Sequence, residues 1–197
     1  MSPRFSSSDR TKKLILLSVL TALVVVLSFV KIPLGPFTVT LTLPVIVIGA
    51  ALLGMWAGAW LGGVFSVMVF IIGDAAAFFA INIPATILVV MVKGIAAGLV
   101  AGLLYRILAK KNKTIAAIVS SIAAPLVNTG IFAIGGLLFF MPTIESWGLG
   151  LGYTSGIAYL FFGMIGLNFL VEFGIAAVLS PVIVRMIDLV ASKKLSR

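Results

Sequence analysis

A chain of 197 residues that is 62% hydrophobic and only 10% charged, with a mean hydropathy of +1.30, is not built like a water-soluble globule, which carries about 45–50% apolar and about 25% charged residues. The absence of both Cys and His excludes thiolate and imidazole metal sites, disulfides, haem ligation by His and any triad that needs either residue. A net charge of +9 and a pI near 10.3 would suit nucleic acid, but most of the 14 basic residues fall in short runs beside apolar segments. Membrane proteins mark their cytoplasmic side in this way, so the expected partner is the lipid bilayer and no nucleic acid.

In chain order, apolar stretches cover Leu14–Val30, Leu43–Ile72, Pro84–Leu108, Thr114–Met141 and Ile157 to about Val190. A helix crosses a hydrocarbon core of about 30 Å with roughly 20 residues. The second stretch is longer and is interrupted by Gly54-Met55-Trp56-Ala57-Gly58, so alone it reads either as one tilted helix or as two joined by a tight turn. Charge parity separates the two. Basic runs stand at Arg4, Arg10, Lys12 and Lys13, at Arg106, Lys110, Lys111 and Lys113, and at Arg185, Lys193, Lys194 and Arg197. If all three runs are cytoplasmic, the chain crosses an even number of times between them, which requires the interrupted stretch to be two helices.

The expected fold is therefore an all-α membrane protein, a six-transmembrane-helix bundle with both termini cytoplasmic. External loops fall near 31–42, 73–83 and 142–156 and carry only Lys31, Asp74 and Glu145. Residues 1–13 form a cytoplasmic tail, the first ten of them mobile; 14–192 form one transmembrane domain and 193–197 a second tail. Basic residues followed by an apolar run also resemble a secretory signal. Nothing after Val30 reads as an exported soluble domain, and no Ala-x-Ala-like site stands out, so the run is taken as a retained first helix.

Between Lys31 and Pro44, Thr38, Thr40 and Thr42 alternate with apolar residues, which predicts a short extended segment across the outer mouth. The stretch from Glu145 to Tyr153 is Gly-rich with two aromatics, the composition of a flexible lid. Small residues recur every fourth position at Gly54, Gly58 and Gly62, at Gly94, Gly98 and Gly102, and at Ser18 and Ala22. Apolar side chains gain little by leaving lipid for one another, so small faces that let backbones approach are what allow helices to pack. Packing within the bundle accounts for most of these, while Ser18 and Ala22 on the outermost helix are candidates for docking another protein.

An ionisable side chain in the membrane interior costs at least about 2.5–3.5 kcal/mol and must face a partner or a cavity. Lys93 lies near the midplane of its helix, Asn128 in the outer half of the fifth helix, and Asn168 and Glu172 share a face on the sixth. Two readings stand: a structural Lys93–Glu172 ion pair with the two Asn as interhelical glue, or a set of ligand contacts. Asp74 and Asn82 read as solvated loop residues. Trp147 and Tyr153 read as interfacial anchors of the aromatic belt in preference to a stacking role in the lid. No phosphate-binding Gly-x-x-x-x-Gly-Lys-Ser/Thr loop, internal repeat or filter-like loop is present, so the residue set suits binding a small molecule better than transforming one.

Three groups of strings together resemble the substrate-binding S components of energy-coupling factor (ECF) vitamin transporters. The first is Ile32-Pro-Leu-Gly-Pro-Phe-Thr-Val-Thr-Leu with Ile48-Gly-Ala-Ala-Leu-Leu-Gly-Met-Trp-Ala-Gly-Ala. The second is Lys93-Gly-Ile-Ala-Ala-Gly-Leu-Val-Ala-Gly-Leu-Leu-Tyr105. The third comprises Val127-Asn-Thr-Gly130, Asn168-Phe-Leu-Val-Glu172 and Ser180-Pro181. The resemblance covers nearly the whole chain after the tail. It implies a six-helix subunit that captures a vitamin or related micronutrient outside, associates with a membrane-embedded coupling subunit and two cytosolic ATPases, and topples to release the substrate inside.

ATP would then be bound by the partner subunits only, with no cofactor on this chain. Ser18 and Ala22 match the family's docking positions, Ser18 standing where Ala is usual. The family's pocket residues map to Thr38, Thr40, Asn82, Lys93, Asn128, Trp147, Tyr153, Asn168 and Glu172. The resemblance does not name the substrate. Pantothenate, whose carboxylate would meet Lys93, ranks first, and riboflavin, a flat ring for Trp147, Phe78 and Phe79, second; biotin and thiamine rank lower. The competing class is a stand-alone secondary carrier in which Lys93 and Glu172 relay protons. A small membrane enzyme lacks an adequate acid/base set.

Overall fold

The computed structural model describes residues 7–34, 37–166, 169–176, 178–179, 182 and 185. Helix α1 spans Ser7–Ser28 and so begins inside the segment expected to be a mobile tail. The connection between α1 and the next helix contains two antiparallel strands, β1 Lys31–Leu34 and β2 Phe37–Thr40, with Lys31 opposite Thr40 and Leu34 opposite Phe37. The alternating β-branched residues adopt the extended form that their stiff χ1 preferences favour.

The interrupted apolar stretch is two helices, α2 Thr42–Leu53 and α3 Met55–Ile72. They part at Gly54, whose φ of 100° and ψ of 172° are closed to residues with a β-carbon, while its N–H still bonds to the Ala50 carbonyl. Helix α2 is apolar all round and every residue from Thr42 to Ala50 is buried, packed by α1, α3, α5 and α6. A helix without a polar face has to lie inside a bundle. A short helix α4, Ala76–Phe79, leads to α5, Ile83–Leu108, which starts on an Asn82 cap with Pro84 in its first turn.

The seam between α3 and α5 follows from glycine spacing. Gly58 and Gly62 on α3 face Gly98 and Gly94 on α5, and a β-carbon on any of the four would run into the opposite backbone or the Ser66 hydroxyl. Ser66 sits one turn beyond, and its Oγ donates 2.7 Å to the Val90 carbonyl across the seam. The recurring small residues of these two helices are thus packing within the chain, as lipid requires.

Helix α6, Lys113–Gly135, is capped by Asn112 and contains Pro125. It continues through a π-helical segment, Gly136–Phe140, into α7, Met141–Gly150. The expected loop over 142–156, and the flexible lid expected over Glu145–Tyr153 within it, are thereby corrected. Most of it is helix, because Pro142 starts the turn without needing an N–H partner and Gly148 lets the helix approach Tyr159 closely. Helix α8, Gly156–Ala158, runs on through a second π-helical segment, Tyr159–Gly166.

Among the described residues, five helical segments are long and apolar enough to cross a membrane: Arg10–Ser28, Met55–Ile72, Ile83–Leu108, Lys113–Gly150 and Gly156–Ala176; the twelve-residue α2 is shorter. The buried apolar residues form two clusters. One joins α1, α2, α3, much of α5 and the first half of α6, and the other joins the start of α5, the end of α6, α7 and the last helix.

Candidate functional site

Between the two clusters lies a cavity of about 520 Å³. Its walls come from α3 (Phe65, Val69), the α3–α4 turn (Asp74), α5 (Val90, Lys93), α6 (Asn128, Phe132), α7 (Trp147) and the last helix (Tyr159, Glu172). The left-handed Gly73, φ 84°, ends α3 and turns Asp74 towards the cavity rim. Phe78 anchors an aromatic wall: its ring stands edge-on to Phe132 at 5.6 Å and to Trp147 at 5.8 Å, and tilted against Phe140 at 5.0 Å.

Lys93 reaches into this space with Nζ 5.4 Å from the Phe132 ring centroid, where the negative face of the ring attracts an ammonium. The charges that act on it are those of Glu172 and Asp74. Glu172 is 8% exposed and Asn128 6% exposed. The Asn128 Oδ1 has no hydrogen-bond partner among the described residues. A buried acceptor left unpaired costs about 1–3 kcal/mol, a cost that a ligand donor would remove.

The α7 wall of the cavity is tied to the last helix by a carboxylate. Glu145 Oε2 on α7 accepts from the Gly156 N–H at 2.9 Å, and Ser155 caps the same helix by accepting from Ala158 N–H at 3.1 Å. This holds α7 in place with Trp147 turned inward.

The structure thus brings Lys93, Asn128, Trp147 and Glu172 to one cavity. Trp147, expected as an interfacial anchor, is half-buried with its ring against Phe78 in the cavity wall. Tyr153 stands behind the wall, 5.1 Å from Tyr159. Asn82 accepts from the Ala85 N–H at 3.1 Å as the cap of α5, which gives that side chain a structural role outside the cavity lining. Phe79 packs on Phe70 at 5.4 Å, away from Phe78. Thr38 and Thr40 lie in β2, opposite Pro33 and Lys31; their side chains and all of Asn168 lie outside the described residues. Ser18 and Ala22 are both exposed on α1.

Sequence reasoning missed Phe65, Phe132, Tyr159 and the part played by Asp74. Phe132 carried a signal, since it lies one helical turn beyond Asn128 and shares its face. Asp74 carried none, because its turn is placed by Gly73 and by the packing of α3.

An apolar bundle enclosing a cavity lined by aromatics and a few convergent polar groups is the architecture of a small-molecule binding membrane protein. The sequence model of the family described as ECF transporter, substrate-specific component matches residues 12–184, and the chain belongs to that family. Among curated proteins, none matches this chain. Membership makes it a substrate-specific subunit of a transporter, a multi-pass membrane protein and not an enzyme, and implies association with ECF transmembrane and ATPase modules and a small-molecule substrate.

Proposed function

We propose that this chain captures a vitamin or related micronutrient at the outer face of the bacterial plasma membrane and hands it inward through an ECF coupling subunit driven by two cytosolic ATPases. The observation that carries the reading is the cavity itself, with Lys93, Asn128, Trp147 and Glu172 converging from four helical segments. ATP is bound by the partners, and the chain uses no cofactor. It crosses six times, α2 being a short second crossing, with both termini inside. The break at Gly54 and the exposed Arg106, Lys110, Lys111 and Lys113 at the α5–α6 turn support this count and orientation. Of the ligands, pantothenate and riboflavin are the first to test.

Native mass spectrometry of the detergent-purified protein, as isolated and with a vitamin panel, tests capture directly. One retained or tightly bound small molecule is the expected result; a folded sample that binds none overturns the reading. In proteoliposomes, uptake is expected only with the coupling module and ATP. Accumulation by the chain alone under a proton gradient would establish the secondary-carrier alternative, which family membership does not favour.

Docking gives a separate prediction. Ala22 is exposed on α1, so Ala22→Leu is expected to change stability by less than about 0.5 kcal/mol. It should nevertheless abolish co-purification with the coupling subunit while ligand binding persists, because a branched side chain holds two helix backbones apart. Normal co-purification would remove Ala22 from the interface.

A further inference from the structure

We infer that the cavity selects a flat nitrogen heterocycle that carries N–H donors and no negative charge, with Asn128 as the acceptor that reads the donor and Asp74 and Glu172 as the groups that turn carboxylates away. The inference rests on the capture reading above and deepens it.

The charge balance of the lining comes first. Lys93 supplies the positive charge of the cavity wall, and two carboxylates, Glu172 and Asp74, already act on it. A ligand carboxylate approaching Lys93 would therefore enter a space whose formal charges sum to one negative, with Glu172 buried where water screens it poorly. Like charges brought together in such a site repel and weaken binding. This reverses the ranking that the lone Lys93 suggests in the sequence, where pantothenate stands first.

The shape of the lining comes second. Phe65, Phe78, Phe132, Trp147 and Tyr159 present aromatic surface on several sides of the cavity. Such surface suits a planar ring by stacking and edge contacts, and a cationic ring by attraction to the ring faces. The third observation is independent of the other two. Asn128 lines the cavity, is 6% exposed and has an Oδ1 with no partner among the described residues. What satisfies an unpaired amide oxygen is an N–H or O–H donor, and a carboxylate brings none.

The test compares ligand pairs built on one ring: nicotinamide with nicotinate, pyridoxamine with 4-pyridoxate, and riboflavin with its 5′-phosphate. Affinities are measured by calorimetry on the full chain in detergent, beside mass spectrometry of whatever molecule it retains from the cell. The member without the acidic group is expected to bind roughly tenfold or more tightly in each pair that binds. Asp74→Asn, a near-isosteric change at an exposed turn, should narrow that gap. Asn128→Leu, of similar volume, should keep the melting temperature while the donor-bearing ligand loses roughly tenfold or more in affinity.

Tighter binding of the acidic members, a retained carboxylate, a gap unmoved by Asp74→Asn, or unchanged affinity in Asn128→Leu each overturns the inference while capture stands. A folded protein that binds no pair and retains no molecule overturns the capture reading instead.

Discussion

Gly98→Leu is expected to abolish recovery of a monodisperse, folded protein from detergent extracts. A β-carbon at this position already meets the Gly58 carbonyl group and the Ala59 backbone nitrogen, so the clash is with backbone that has no rotamer by which to escape. Overpacking by side chains against side chains costs typically about 1–3 kcal/mol. Here α3 and α5 would have to separate along a seam that also holds Gly62 against Gly94 and the Ser66 hydroxyl against the Val90 carbonyl. The loss should exceed that range, because there is little hydrophobic drive in lipid to hold displaced helices together. The control is Gly130→Ala on α6, where nothing described lies within 4 Å of the added β-carbon. Relief of glycine's backbone entropy should there raise stability by about 0.5–1 kcal/mol. Size-exclusion profiles and tryptophan-fluorescence melts of the two variants check both outcomes; a monodisperse Gly98→Leu protein would show that the α3–α5 seam yields.

The second large effect is expected at Lys93 and Glu172. Lys93→Met leaves the carboxylate of Glu172, 8% exposed, without the positive charge that balances it in the cavity wall. Removing one member of a buried pair typically destabilises by about 3–5 kcal/mol, whereas replacing both by apolar residues is often neutral. Lys93→Met should therefore melt far below the parent protein, and Lys93→Met combined with Glu172→Leu should recover most of the lost melting temperature. If the two side chains contact the ligand, the recovered double variant still binds at least roughly a hundredfold more weakly, the scale expected when charged partners in a desolvated site are removed. Parent-like affinity in the double variant would assign the pair to structure alone.

The hydropathy pattern made most helices legible, and charge parity settled that the apolar stretch around Gly54 is two helices. Both signals are local: apolar runs and basic flanks report the cost of moving each residue into lipid. Lys93, Asn128 and Glu172 were legible for the same reason, since polar groups at membrane depth have to be accounted for. Asn82 shows where that logic stops. Its polarity is used by the first turn of α5, and an N-cap and a ligand contact have the same sequence signature.

The lid region failed for a related reason. Glycine and proline between Pro142 and Gly150 usually punctuate chains, but here Pro142 opens a helix and Gly148 permits its close packing on Tyr159. Turn propensity is a weak local preference, and tertiary contact overrode it.

What the sequence by itself determined is the membrane class, the helix-forming segments, the small-residue spacing and the few polar groups at membrane depth, because each follows from the free energy of one residue or one helical turn in lipid. Only the tertiary structure decided that Trp147 faces inward, that Phe65, Phe132 and Tyr159 join it around one cavity, and that Asp74 shares the field of Lys93 with Glu172. Those relations depend on how helices far apart in sequence are rotated and set against one another. That setting is fixed by contacts such as Gly58 against Gly98 and the Glu145 bond to Gly156 N–H, and no periodicity along one helix says which residue of another it will meet.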